Sequence, residues 1–455
     1  MKTDFCGHAT TLQDAETLEA WNTTIVEFLA HSASTPNHLA KVLESAPDFA
    51  LGHAVKGLFY ILLGRREVLP VAEQAYQSAQ NAVNEGHVTE REALYVEALG
   101  VWLEGRPSEA VHYLERVLKS HPADALAMKL SHAIRFVLGD AAGMRRSIER
   151  VLPAYGHDHP ARGYLLGCHA FALEETGEYQ RAEIAGRQAL WLAPNDAWGL
   201  HAVAHVHDMT ANAAKGLDWL TGREEAWAHC NNFRYHVWWH KALMHLDLGQ
   251  TEEVLDLYDT EIRKEHTDDY RDISNATSLL MRLELDGVSV GDRWEELSAL
   301  CAERTEDGCL IFADLHYLMA LTGDKRPDAT ARLLQRIARD AQSNSEMGSR
   351  MSDPGVAASK GLEAFGDQRY DEAFASLTQA RDGMQRAGGS HAQRDVFERI
   401  TIDAGIRAGK LDEAEALLND RQDRRAGCDD GYANARRDLI DMGRGLSDTV
   451  PMPAE

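Results

Sequence analysis

Between positions 94 and 122 the chain reads LYVEALGVWLEGRPSEAVHYLERVLKSHP, with apolar and small residues returning every three or four positions on either side of a central glycine. That period puts them on one face of each of two helices, and the glycine marks a tight turn between. Leu94, Ala98, Gly105, Ala110, Leu114, Val117 and Pro122 fall on the packing positions of a tetratricopeptide hairpin, a unit of about 34 residues closed by a proline. The pattern returns at 166 to 194 through Leu166, Ala170, Gly177, Tyr179, Ala182, Gly186, Ala189 and Pro194. Weaker copies lie around Gly57 to Gly64, Ala242 to Gly249 with Val254 and Tyr258, Gly361 to Ala380, and Gly409 to Leu418. One hairpin cannot bury its apolar face alone, so the units must stack. The prediction is an all-α, tetratricopeptide-like helical-hairpin solenoid forming a right-handed superhelix.

Breaks in the pattern divide the chain. Residues 1–40 form an N-terminal helical cap, and 41–262 form hairpins that carry the histidine pairs described below. Residues 263–341 are divergent helical hairpins, including DISNATSLLMRLEL with Asp272 or Ser274 as the N-cap. The stretch QSNSEMGSRMSDPG (342–355) reads as a polar loop, hairpins resume over 356–425, and 426–455 is a C-terminal tail, partly disordered.

Charge narrows the partners. There are 47 Lys plus Arg against 72 Asp plus Glu, a net charge of −25. Phosphate binding needs a basic stripe, so the expectation is no nucleic acid and no membrane as partner. The start, MKTDFCGHATTL, lacks the apolar stretch of a signal peptide, and LFYILL (58–63) is too short to span a bilayer. Six scattered cysteines without CxxC spacing read as free thiols, which points to a cytoplasmic location.

Two histidine pairs change the picture from generic repeat to candidate site. His201 with His205, and His236 with His240, each have i,i+4 spacing, so each pair shares a helix face with Cβ atoms about 6 Å apart. The pairs are separated by nearly one repeat, which brings them to similar heights on neighbouring units. They are the metal candidates, and a divalent metal is the cofactor the pattern admits. Ala204 precedes His205 and no glutamate follows His201, so a metalloprotease base is absent. A metal-free version assigns acid-base work to His205 and His240, oriented by Asp314 or Asp208, with Arg394 holding an anionic group. His201, His236, His316 and Trp239 complete the expected lining of a concave groove. Cys168 and Cys230 read as packing residues, because nothing nearby activates a thiol. Arg394 and Asp395 serve equally as a helix-capping cluster or as a groove wall. Arg282 interrupts an apolar face and should seek a carboxylate.

Several segments are more specific than the repeat: HAVAHVHDM (201–209), HVWWHKAL (236–243), LYDTEI (257–262), SLLMRLELDGVSVGDRW (278–294), FADLHYLMA (312–320) and GSHAQRDVF (389–397). Through them the chain, from about 45 to 425, resembles the tetratricopeptide repeat protein 38 family. The resemblance implies a helical superhelix and marks His201, His205, His236, His240, Asp314, His316, Gln393, Arg394 and Asp395 as motif positions. Asn275 departs from it, standing where an acid is expected. The family supplies no reaction. The residues thus favour a pocket that binds a small polar molecule, with acid-base or metal-assisted chemistry left open, over a scaffold that grips a protein segment.

Overall fold

The computed structural model describes residues 2–86 and 88–445. Helix follows helix from Ala15–Leu29 to Gly431–Gly443, and the strands Lys2–Thr3 and Ala9–Thr10 form one short antiparallel pair. The all-α hairpin solenoid is the fold. Two units are those the apolar pattern sets out, Glu90–Leu103 with Pro107–Ser120 and Arg162–Glu174 with Tyr179–Leu192; Ala197–Met209 with Ala213–Leu220 forms a further one. Gly105, Gly139, Gly177, Gly249 and Gly409 end first helices with φ from +67° to +80°, a conformation that a Cβ disfavours. Capping boxes start two helices, Thr89 with Glu92 and Ser390 with Gln393.

The superhelix closes on itself. Arg65 makes a bidentate pair with Asp268 at 2.9 Å for both bonds. Tyr179 Oη donates to the Arg424 carbonyl at 2.6 Å, the His391 amide to Glu175 Oε1 at 2.7 Å, and Gly431 N–H to Asp247 Oδ1 at 2.6 Å. Helix His391–Arg407 also packs against Ala197–Met209 and Tyr270–Leu285. The open concave groove expected from the repeat is therefore filled by the chain's own later helices.

Several local expectations change. Asp269, rather than Asp272 or Ser274, caps helix Tyr270–Leu285. The polar stretch 342–355 holds the helix Glu346–Arg350 and a turn with Met351 and Pro354 buried. Within the expected tail, Gly431–Gly443 is a helix whose Tyr432 and Ile440 are core residues. Residues 446–455 lie outside the described residues. Among the described residues Arg282 pairs with no carboxylate; it donates to the carbonyls of Ser278 and Ala392 at 3.1 and 2.7 Å. Burial, followed by repulsion from Arg399, pushes its guanidinium down to about 9.

Candidate metal centre

His201 and His205 lie on helix Ala197–Met209, and His236 and His240 on helix Phe233–Asp247. These first helices of consecutive units pack side by side. Small residues bring a third helix close: a Cβ on Gly199 would lie 3.2 Å from the Gly167 Cα, and the Asp196 carboxylate lies against both glycines where Ala197–Met209 and Arg162–Glu174 meet. Glu174, on the same helix as Gly167, lies beside His205.

The four imidazoles converge. One ring nitrogen of each lies within 4.8 Å of the others, and ring centroids are 4.3 Å apart for His205 and His240 and 5.0 Å for His201 and His236. His236 Nε2 and His240 Nε2 are 3.2 Å apart. A tetrahedral ion with metal–nitrogen bonds of about 2.0–2.1 Å separates its ligand nitrogens by about 3.3 Å. The His236–His240 separation matches that value, and the other nitrogens lie within 4.8 Å.

Burial sharpens the argument. His201, His205 and His240 are at most 1 % exposed, and His236 is partly buried. Among the described residues, neither ring nitrogen of His201 or His205 makes a well-aligned hydrogen bond, nor does His240 Nδ1. A neutral imidazole always carries one N–H, and leaving it unpaired in the interior costs about 1–3 kcal/mol. A shared cation would engage one bare nitrogen of each ring directly. The expectation that these histidines face an exposed groove is corrected: they are interior.

The electrostatics of three of the four suit ligation. Burial holds His201 and His240 well below the ordinary histidine range, reinforced by the neighbouring imidazoles; the Trp198 carbonyl, one turn before His201, offsets only part of this. Burial likewise takes His236 down to about 3. All three are neutral donors at pH 7. His205 differs: burial lowers it, but the Glu174 carboxylate, 3.3 Å from Nδ1, reverses the balance and raises it. Glu174 is itself raised by its own burial, partly offset by His205. His236 Nδ1 lies 2.9 Å from Asn275 Oδ1. Asn275 thus fixes the His236 ring by a hydrogen bond from outside, as partners of metal-bound histidines do, while Glu174 sits beside His205 Nδ1 as a charge contact. Phe171, Trp198, Phe233 and Trp239 surround the rings, with Trp239 stacked on His236 at 5.2 Å.

The other expected site residues are engaged elsewhere. Asp314 pairs with buried Arg336, and burial raises its carboxyl to about 6. Asp208 pairs with Arg425 at 3.1 Å. His316 Nδ1 is 2.7 Å from the Phe312 carbonyl, and its ring packs on Phe397. Arg394 holds the Gly389 carbonyl, with Glu175 at 3.5 Å, and Ser390 is the helix cap. Asp395 joins Arg399 and Arg421 at 2.7 Å each. No histidine is oriented by Asp208 or Asp314, so the acid-base arrangement read from the sequence does not assemble. Burial pushes the Cys168 and Cys230 thiols up to about 11 and 12, as expected of packing residues. Glu174 escaped the sequence reading. Its signal was position, one repeat before His205 and just ahead of the turn at Gly177.

No family model matches the chain. Two solved structures are similar over nearly all of it. One is titled a human IFIT1 dimer with m7Gppp-AAAA, at 16% identity and TM-score 0.36, covering 96% of both chains. The other is titled Naa15/Naa10 bound to HypK-THB, at 14% identity and TM-score 0.25, covering 95% of this chain and 67% of that one. At such values neither likeness argues for a shared ligand. The exclusion of nucleic acid is nevertheless corrected: one of these structures contains m7Gppp-AAAA, and a net charge of −25 is a sum over the chain that does not describe any one surface. Among the described residues, no helix is long and apolar enough to cross a membrane.

Proposed function

We propose that this helical-repeat protein binds one divalent transition-metal ion through His201, His205, His236 and His240, and that the ion ties together consecutive hairpins of the closed superhelix. The carrying observation is the convergence of four imidazoles, three buried and one partly buried, with a nitrogen of each within 4.8 Å of the others. An all-imidazole set without thiolate suits zinc, copper, iron or nickel and disfavours calcium or magnesium. Four protein ligands in an aromatic, buried shell resemble a closed structural site more than an open catalytic one, and zinc is the first expectation. The reading gains support from the segments of the tetratricopeptide repeat protein 38 resemblance, since HAVAHVHDM and HVWWHKAL contribute all four ligands. Six free cysteines agree with a cytoplasmic setting.

Metal analysis of purified protein tests the reading. One equivalent of metal per chain is expected, with chelator lowering the melting temperature. His205→Ala and His240→Ala should each lose the ion. Absence of metal from protein refolded with excess zinc, with melting indifferent to chelator, would overturn it.

A further inference from the structure

A second feature, lined by none of the four histidines, has the construction of a ligand site. Helices Tyr270–Leu285, Ile311–Gly323, Val356–Gly366 and His391–Arg407 enclose a cavity of about 260 Å³. That is near the lower end of clefts that hold small molecules, roughly 300–1,000 Å³. Its floor is apolar and buried, made by Met281, Leu285, Met319, Leu362 and Ile400. Its mouth is polar and exposed, with Glu284, Lys325, Gln368 and Arg407.

Two independent observations concern the mouth. The first is charge. Two cations face one carboxylate, a local excess of one positive charge in a chain of net −25. The cations are poorly compensated. Asp324, beside Lys325, is taken by Arg326 at 2.7 Å. Asp403 lies 3.9 Å from Arg407 but receives two 3.1 Å bonds from Arg436 and one of 2.7 Å from Tyr432. Arg407 instead stacks over Phe365 and Tyr370, 5.3 Å from each centroid, and donates to the Tyr370 hydroxyl at 3.1 Å. Glu284 already accepts from Trp294 Nε1 at 2.9 Å.

The second is backbone. Lys325 and Gln368 occupy the turns after Ile311–Gly323 and Val356–Gly366 with φ of +54° and +60°. Other first helices of this chain end in glycine at that position, as at Gly105 and Gly177. His31, Ala211 and Ala426 share the conformation elsewhere, but long, flexible polar side chains take it at the two turns that border the cavity. Left-handed non-glycine residues carry strain, and such strain is often retained where the side chain has work to do.

We infer that this cavity binds a small amphipathic monoanion, its apolar body on the Met-Leu-Ile floor and its carboxylate or similar oxyanion between Lys325 and Arg407. Gln368 adds an amide donor. Arg stacked on aromatic rings is pre-oriented for such a head.

Octanoate and octylamine, which share a tail and differ in the charge of the head, are the probes for calorimetric titration of the full chain. Octanoate binds and octylamine does not. Lys325→Gly relieves the turn, so the variant melts at or above the wild-type temperature while losing about tenfold or more in octanoate affinity. Arg407→Gln shows the same loss of affinity. Failure of octanoate to bind, equal binding of octylamine, or wild-type affinity in both variants would overturn the proposal. None of these outcomes depends on the metal.

Discussion

Acid should destabilise the metal-free protein in proportion to its buried neutral histidines, and one substitution isolates the contribution of the cluster. Burial holds His240 well below the ordinary histidine value, so the folded state keeps the ring neutral where the unfolded chain protonates it. Because the unfolded state then binds the extra proton, the stability from this group is complete above about pH 6.5 and is lost as pH falls toward the folded value. The slope is about 1.4 kcal/mol per pH unit for each such group. Between pH 6.5 and 5 one histidine therefore costs about 2 kcal/mol. His240→Phe keeps an aromatic ring in the aromatic shell and removes the titration. Guanidinium unfolding after chelator treatment, at pH 7.5 and 5.0, measures the effect. Wild type should lose about 2 kcal/mol more than His240→Phe over this interval. His205, raised through Glu174, runs in the opposite sense, its stability present at low pH and lost as pH rises through its folded value. Equal losses in wild type and His240→Phe would show that His240 is not buried as a neutral group, and the electrostatic account of the site would fail.

Other outcomes follow from neighbouring contacts. Asn275→Leu and Glu174→Gln should each weaken metal affinity about 10- to 100-fold in a competition titration, because Asn275 orients His236 and the Glu174 charge lies against His205. Asp430 is buried among Arg399, Arg421 and Arg425, so Asp430→Asn should cost about 3–5 kcal/mol in denaturant unfolding by leaving buried charge unpaired. Trp191 is 83 % exposed, and Trp191→Ser should change stability by no more than about 0.5 kcal/mol in the same assay.

The repeat was legible because its determinants are local. Gly105, Gly177 and the small residues that follow them specify turn and helix contact within one unit, whatever the rest of the chain does. The convergence of the histidine pairs was legible for a related reason: i,i+4 spacing and a repeat-length offset are both properties of the solenoid. Closure was not. The contacts that fill the groove, Arg65 with Asp268 or Tyr179 with the Arg424 carbonyl, join residues more than 200 positions apart and follow from curvature summed over many units. That closure moved His201 and His205 from the expected groove face into the interior, and gave Asp208 to Arg425. Asp314 misled because an acid among apolar residues signals a buried partner without naming it, and Arg336 lies on the next helix. Asn275 was noticed as a departure, yet an amide oxygen beside His236 Nδ1 orients the ring as an acid would.

X-ray absorption at the metal edge is the most direct test of the central claim. The account predicts a first coordination sphere of about four nitrogens near 2.0–2.1 Å with the multiple-scattering signature of imidazole. Loss of that signature in His201→Ala and His236→Ala should accompany loss of the ion. A spectrum dominated by sulfur or by water oxygens, or an imidazole signature unchanged in both variants, would contradict it.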